Sequence, residues 1–118
     1  MPHLLVRGIP ADRLKTVAKP LVAELASICS CGTDNFMLEC LLTTSIVDGE
    51  IAASYPFIEV GWFERGQETR DRFARAVADH VQALGVPEFE IAFRVYEERS
   101  YYVNGEPIVS ISQSSPLN

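Results

Sequence analysis

Pro56-Phe57-Ile58-Glu59-Val60-Gly61-Trp62-Phe63 is the stretch that decides the fold. In a strand, successive side chains point to opposite faces. One face is then Pro56, Ile58, Val60 and Trp62, wholly apolar. The other is Phe57, Glu59, Gly61 and Phe63, apolar but interrupted by a carboxylate. The first face needs a cover of helices. The second needs a different cover, because a sheet face this apolar does not stay wet in a monomer.

The cover for the first face lies on either side in the chain. Residues 67–84 read as an amphipathic helix with the stripe Phe73, Val77, Val81 and Leu84, and Gly85 follows as the C′ residue. Residues 89–96 alternate as the next strand, Phe89, Ile91, Phe93 and Val95 on one face and Glu90, Ala92, Arg94 and Tyr96 on the other. Upstream the same order occurs once more. Residues 3–7 read as a strand that groups His3, Leu5 and Arg7. Leu14, Val17, Leu21 and Leu25 recur at helical spacing, started by Asp12 or the Ile9-Pro10 turn. Pro20 is expected to kink or restart that helix. Gly32-Thr33-Asp34-Asn35 ends the unit, and residues 36–47 read as one long strand closed by Asp48-Gly49. Its helix face is Phe36, Leu38, Cys40 and Leu42, and its reverse is Met37, Glu39, Leu41 and Thr43.

The expected fold is α+β: a doubled β-α-β forming a four-stranded mixed sheet, two helices on one face, and a short C-terminal hairpin turning at Asn104-Gly105. Right-handed crossovers put both helices on the same side. All 118 residues are expected to form a single domain.

The open face then carries Leu5, Met37, Leu41, Phe57 and Phe63 with Arg7, Glu39, Glu59 and Arg94. Self-association covers such a face and draws its charges out of water, where they need one another as an inner-face charge network. A net charge of −6 without any block of Lys or Arg argues against nucleic acid and anionic membranes as partners. No apolar run reaches the roughly 18 residues of a membrane span. No signal peptide is legible, and the cytoplasm is the expected compartment. Cys29, Cys31 and Cys40 lack the spacing of a metal site and read as reduced thiols. Neither metal nor cofactor is expected.

Pro2 stands at the very start of the first strand. If Met1 is removed, the chain begins with a secondary amine, which only proline supplies. An apolar surround disfavours its ammonium form and lowers its pKa. Such an amine can take a proton from carbon and return it.

On these residues the chain resembles the tautomerase superfamily, which includes 4-oxalocrotonate tautomerase, 5-carboxymethyl-2-hydroxymuconate isomerase and macrophage migration inhibitory factor. Pro2-His3-Leu4 is similar to the opening of the hydroxymuconate isomerases. Tyr55-Pro56-Phe57-Ile58-Glu59-Val60 with Trp62-Phe63 and Arg65, and Tyr101-Tyr102 with Asn104-Gly105, resemble the uncharacterised tautomerase-like group called domain of unknown function 1904. The resemblance implies a trimer with helices outside and sheets lining a central barrel. It implies that Pro2 is the general base and that Arg65 binds a substrate carboxylate. Glu39 lies near the place where the isomerases carry a second arginine. Arg94 or Tyr102 is expected to stabilise an enolate.

Two functions follow as expectations. One is a cofactor-free isomerase that shuttles a proton on a keto or enol carboxylic acid. The alternative is a non-catalytic trimeric binding or signalling protein of the same fold. The tail, residues 101–111, is expected to order itself on a neighbouring subunit or on its own.

Overall fold

The computed structural model describes residues 2–109, and expectations for Met1 and residues 110–118 lie outside the described residues. Four strands form the central sheet: β1 (His3–Arg7), β2 (Met37–Leu41), β5 (Phe57–Trp62) and β6 (Glu90–Val95), in the order β2-β1-β5-β6. β1 pairs with β2 and β5 with β6 in parallel, and the two halves join through the antiparallel β1–β5 pair. α1 (Ala11–Cys29) and α2 (Gln67–Ala83) connect the parallel pairs and pack on each other. This is the doubled β-α-β plan with a mixed sheet.

Register explains the two faces. Leu4 sits beside Leu38 and Val60, and Val6 beside Cys40 and Ile58. These side chains meet Leu14, Leu21, Leu25, Phe73, Val77 and Val81 from the helices. Trp62 and Phe73 are both fully covered and meet edge to face at 5.1 Å, and Trp62 lies 4.8 Å from Phe93. Such pairs contribute about 0.5–1.5 kcal/mol beyond the area they bury.

The opposite, inner face has three rows across the sheet. Met37, His3, Gly61 and Arg94 make the first, Glu39, Leu5, Glu59 and Ala92 the second, and Leu41, Arg7, Phe57 and Glu90 the third. Nothing in the described chain covers the middle of it.

Two local features differ from the sequence reading, the course of α1 through Pro20 and the break in residues 36–47. α1 runs unbroken through Pro20, which lies on the exposed side, so the missing N–H falls where water solvates the backbone. The helix begins after Pro10, whose carbonyl accepts from Arg13 N and Leu14 N at 3.0 Å. It ends at Ser30 in the left-handed region (φ 55°), with Cys31 N reaching back to Ala26 O at 3.0 Å. Residues 36–47 are not one strand: β2 stops at Leu41, and Ser45–Val47 (β3) folds back on Glu50–Ala52 (β4) as a separate hairpin. Asp48-Gly49 is its two-residue turn, with φ 54° and 77°, the positive pair that a type I′ turn requires. Asn104-Gly105 (φ 54° and 80°) makes the matching turn between β7 (Tyr102–Val103) and β8 (Glu106–Pro107), the expected C-terminal hairpin.

Candidate functional site at the head of the central strand

Pro2 is fully buried, and its carbonyl accepts from Met37 N at 3.1 Å. Strand parity puts it with Leu4 and Val6 on the helix side, opposite His3. Carried one residue past its last pair, the β1–β5 register brings Pro2 beside Trp62. Three other elements end here. α1 arrives with Cys29, the Phe36 segment enters β2, and α2 begins just after Arg65 and Gly66.

Arg65 is half-buried, with its guanidinium carbon 5.3 Å from the centre of the Trp62 ring and Nη1 donating to Phe63 O at 3.0 Å. Trp62 thus neighbours both Pro2 and Arg65. The nearby carboxylate, Glu64, is taken: it accepts from Gly66 N at 2.7 Å and pairs with Arg70. Among the described residues Arg65 has no carboxylate partner. It adds a positive charge to the positive end of the α2 dipole, an unfavourable placement unless an anion joins it. Cys29 lies within reach of that charge. Burial pushes its thiol above the ordinary value of 9.0, and Arg65 opposes the rise. Trp62 Nε1 is buried and finds no acceptor among the described residues.

The other candidate residues lie elsewhere in the single chain. Arg94 is on the inner face, largely exposed, and bonds Glu59 at 3.3 Å. Glu39 flanks Leu5 and joins no ion pair among the described residues. Arg7 stacks on Phe57, its guanidinium carbon 4.8 Å from the ring centre. Tyr102 is exposed on β7. Within one chain the fold brings Pro2 and Arg65 to one end of the sheet and Arg94 with Glu59 to the inner face.

An aromatic group that the sequence reading did not assemble occupies the inner face beneath Pro2. Tyr101 Oη lies 3.3 Å from His3 Nε2, and its ring meets Phe63 at 5.0 Å and Tyr96 at 5.7 Å. Tyr96 brings the hydroxyl end of its ring over Gly61, where a Cβ would stand 2.6 Å from its Cζ. The tail therefore begins by folding back on its own subunit through Tyr101. Among the described residues no three His, Cys, Asp or Glu side chains cluster as a metal site, and no described helix is long and apolar enough to cross a membrane.

A mixed four-stranded sheet from two β-α-β units, with a buried proline heading its central strand, is the tautomerase-superfamily fold. A fused 4-oxalocrotonate tautomerase, described as an asymmetric trimer, has it at a TM-score of 0.69 and 13% identity, over 89% of this chain and 94% of that one. A macrophage migration inhibitory factor-like protein from Entamoeba histolytica superposes at a TM-score of 0.64 and 12% identity, over 89% and 96% of the two chains. The chain itself belongs to the family described as Domain of unknown function (DUF1904), whose model matches residues 1–107. A family member from Sebaldella termitidis is 33% identical, with a TM-score of 0.81 over 89% of this chain and 97% of that one. A protein of unknown function from Vibrio cholerae is 30% identical, with a TM-score of 0.79 over 91% and 87%. No curated protein matches the chain.

Proposed function

We propose that the mature protein is a tautomerase-like isomerase in which the Pro2 amine moves a proton on a keto or enol carboxylic acid. The observation that carries this reading is a proline with under 2% of its surface exposed, at the head of the central strand, in a chain where Arg65 holds an unpaired charge at the same end. Removal of Met1 frees the nitrogen and opens the space covalently next to it. The apolar surround favours the neutral amine, which is the basic form. The neutral nitrogen takes the proton α to the substrate carbonyl. The electron pair moves to the carbonyl oxygen as an enolate, and the prolinium returns the proton at the new position. Arg65 holds the carboxylate through its planar fork. A positioned base supplies roughly 10²–10⁴ in rate, and a group that meets the enolate oxygen supplies a further electrostatic share. Arg94 and Tyr102 are the proposed groups for that oxygen, supplied in this reading by a neighbouring subunit.

The assembly proposed is a homotrimer in the cytoplasm, needing no cofactor. The exposed inner face supports it. So does the β3–β4 hairpin, which carries Ile46, Val47 and Ile51 at 59–77% exposure. A two-stranded hairpin is marginal in water by itself.

The test starts with intact mass, which reports whether Met1 is gone. Ketonisation of phenylpyruvate and 2-hydroxymuconate is then measured for the processed protein and for Pro2→Ala. A loss of 10²-fold or more, on the order of one positioned base, is expected. Equal rates remove Pro2 from the mechanism. An NMR titration that finds an ordinary proline amine, together with no turnover, favours the non-catalytic binding protein instead.

A further inference from the structure

The far end of β1 carries a second constellation, about 17 Å along the strand from Pro2 and on the opposite sheet face. A cavity of about 360 Å³ lies there, lined by Arg7, Thr43, Thr44, Ser45, Ser54, Tyr55 and Phe57. We propose that this cavity is a binding site for a small oxyanion, a carboxylate or phosphate group, gripped by the rim of the Arg7 guanidinium and the surrounding hydroxyls.

The argument begins with what Arg7 does and does not do. Its guanidinium lies over the Phe57 ring, 4.8 Å from the centre. Stacking uses the flat face of the group and leaves the N–H donors around its edge free. Among the described residues no carboxylate meets that edge. The acids nearby are Glu59 and Glu39, one row away on the strands that flank β1, Glu90, separated from Arg7 by Phe57 in the third row, and Glu88, which acts with Glu90 on Tyr55. Glu59 bonds Arg94 instead, and Glu39 joins no ion pair among the described residues. An exposed guanidinium set against an aromatic ring, lining a cavity and without a carboxylate partner among the described residues, is a group that can take an oxyanion in bidentate fashion.

The opposite wall is built from hydroxyls. Thr43 Oγ1 and Ser54 Oγ lie 2.6 Å apart, Ser54 Oγ also donates to Thr43 O at 3.1 Å, and Ser45 Oγ reaches Ser54 Oγ at 3.4 Å. These bonds tie the two stems of the β3–β4 hairpin together at its root and hold the wall in place. An anion that enters would accept from Thr43 or Ser45 in place of their bonds to Ser54, an exchange of partners that needs only hydroxyl rotation. Tyr55 at the rim is turned toward Glu88, and desolvation, the charges of Glu88 and Glu90 and its hydrogen bond to Glu88 push its phenol above the ordinary 10.0, so the gripping groups are Arg7 and the Thr and Ser hydroxyls. Gly8, next to Arg7, lets the end of β1 run close against the segment that carries Tyr55: its φ is +82°, and a Cβ there would stand 2.7 Å from Pro56.

The experiment titrates the purified protein, in its solution assembly, with inorganic phosphate, with malonate and with sodium chloride at matched ionic strength, following backbone amides by NMR. Saturable shifts at residues 43–45 and 54–57 are expected with phosphate or malonate, with their own saturation curve separate from any shift around Pro2 and residues 62–66, and whichever of the two saturates assigns the anion class. Arg7→Gln should weaken that binding about tenfold, the loss of one bidentate charge-assisted contact. Arg7→Lys keeps the charge without the planar edge and should fall in between. Shifts that chloride reproduces, shifts that never saturate, or a wild-type affinity in Arg7→Gln overturn the proposal. If the anion fails to bind and Arg7→Gln instead dissociates the assembly, the edge of Arg7 serves a second copy of the chain, and the proposal is equally wrong. The wild-type titration decides the matter even if Arg7→Gln does not fold.

Discussion

The two faces of the central sheet are made by the same strands and meet opposite fates. On the helix side, Leu4, Val6, Ile58, Val60 and Trp62 are each at most 2% exposed. On the inner side, Met37 and Leu41 keep 44% and 41% of their surface in water, and Leu5 and Phe57 are only partly covered. Both faces are apolar, so hydrophobicity alone does not separate them. The difference lies in the connections. Right-handed crossovers deliver both helices to one side, and among the described residues no further helix lies over the other. The helix face is completed within the chain, and the inner face is left open by it.

The largest effect expected from this comparison is on the helix face. Phe73 is fully buried between Trp62 and Phe93, at 5.1 and 5.8 Å. Phe73→Ala should cost about 3–5 kcal/mol in urea unfolding at fixed protein concentration, from lost transfer energy and the cavity left behind. A cost below about 1 kcal/mol would mean that the helices are not what holds this face.

The inner face should respond in a different observable. Leu5 lies between Glu39 and Glu59 in the second row. Leu5→Glu sets three carboxylates side by side, each adjacent pair unfavourable by several tenths of a kcal/mol or more. The secondary structure should survive, while sedimentation velocity shows smaller particles than wild type. Unchanged sedimentation would place the subunit contact away from this row.

The same contrast marks how far the sequence could be read. Strand parity needs only neighbours in the chain, and it separated Ile58, Val60 and Trp62 from Phe57 and Glu59 before any register was known. The helical stripes were equally local. The β3–β4 hairpin was not legible: residues 36–47 run without Gly or Pro, Thr43-Thr44 are good strand formers, and Asp48-Gly49 reads as well for a strand end as for a hairpin turn. Pro2 and Arg65 were legible from chain position and resemblance. The stacking of Arg7 on Phe57 depends on the β1–β5 register, and the meeting of His3 with Tyr101 spans 98 positions. No periodicity carries contacts of that kind.

Gly61 offers a smaller and more local test. It lies in the first row, under Tyr96, and its backbone does not require a glycine. The requirement is space, because a Cβ would stand 2.6 Å from Tyr96 Cζ. Gly61→Ala should push the Tyr96 ring off the sheet at a cost of about 1–3 kcal/mol, the usual range for overpacking. The change should also shift the His3 ring resonances, since Tyr96 meets His3 edge to face at 5.8 Å. If stability and His3 are both untouched, the aromatic group moves freely and does not organise this end of the inner face.

The smallest effect concerns the tail. β7 and β8 pair only with each other, and Tyr102 and Val103 are exposed at 58% and 53%. What ties this segment to the body is Tyr101, one residue earlier, through its hydroxyl on His3 and its ring on Phe63 and Tyr96. Ile108 N also returns to Tyr101 O at 3.2 Å, so the hairpin hangs from the same residue. Tyr101→Phe removes one hydrogen bond and keeps the ring, and should cost about 0.5–1.5 kcal/mol. Tyr101→Ala removes the ring too and should release the hairpin, seen as faster amide exchange across residues 102–108 with the central sheet unaffected. A double-mutant cycle with His3→Ala isolates the pair. A coupling near zero, with amide exchange at 102–108 unchanged in Tyr101→Ala, would mean that contacts with a neighbouring subunit order the tail.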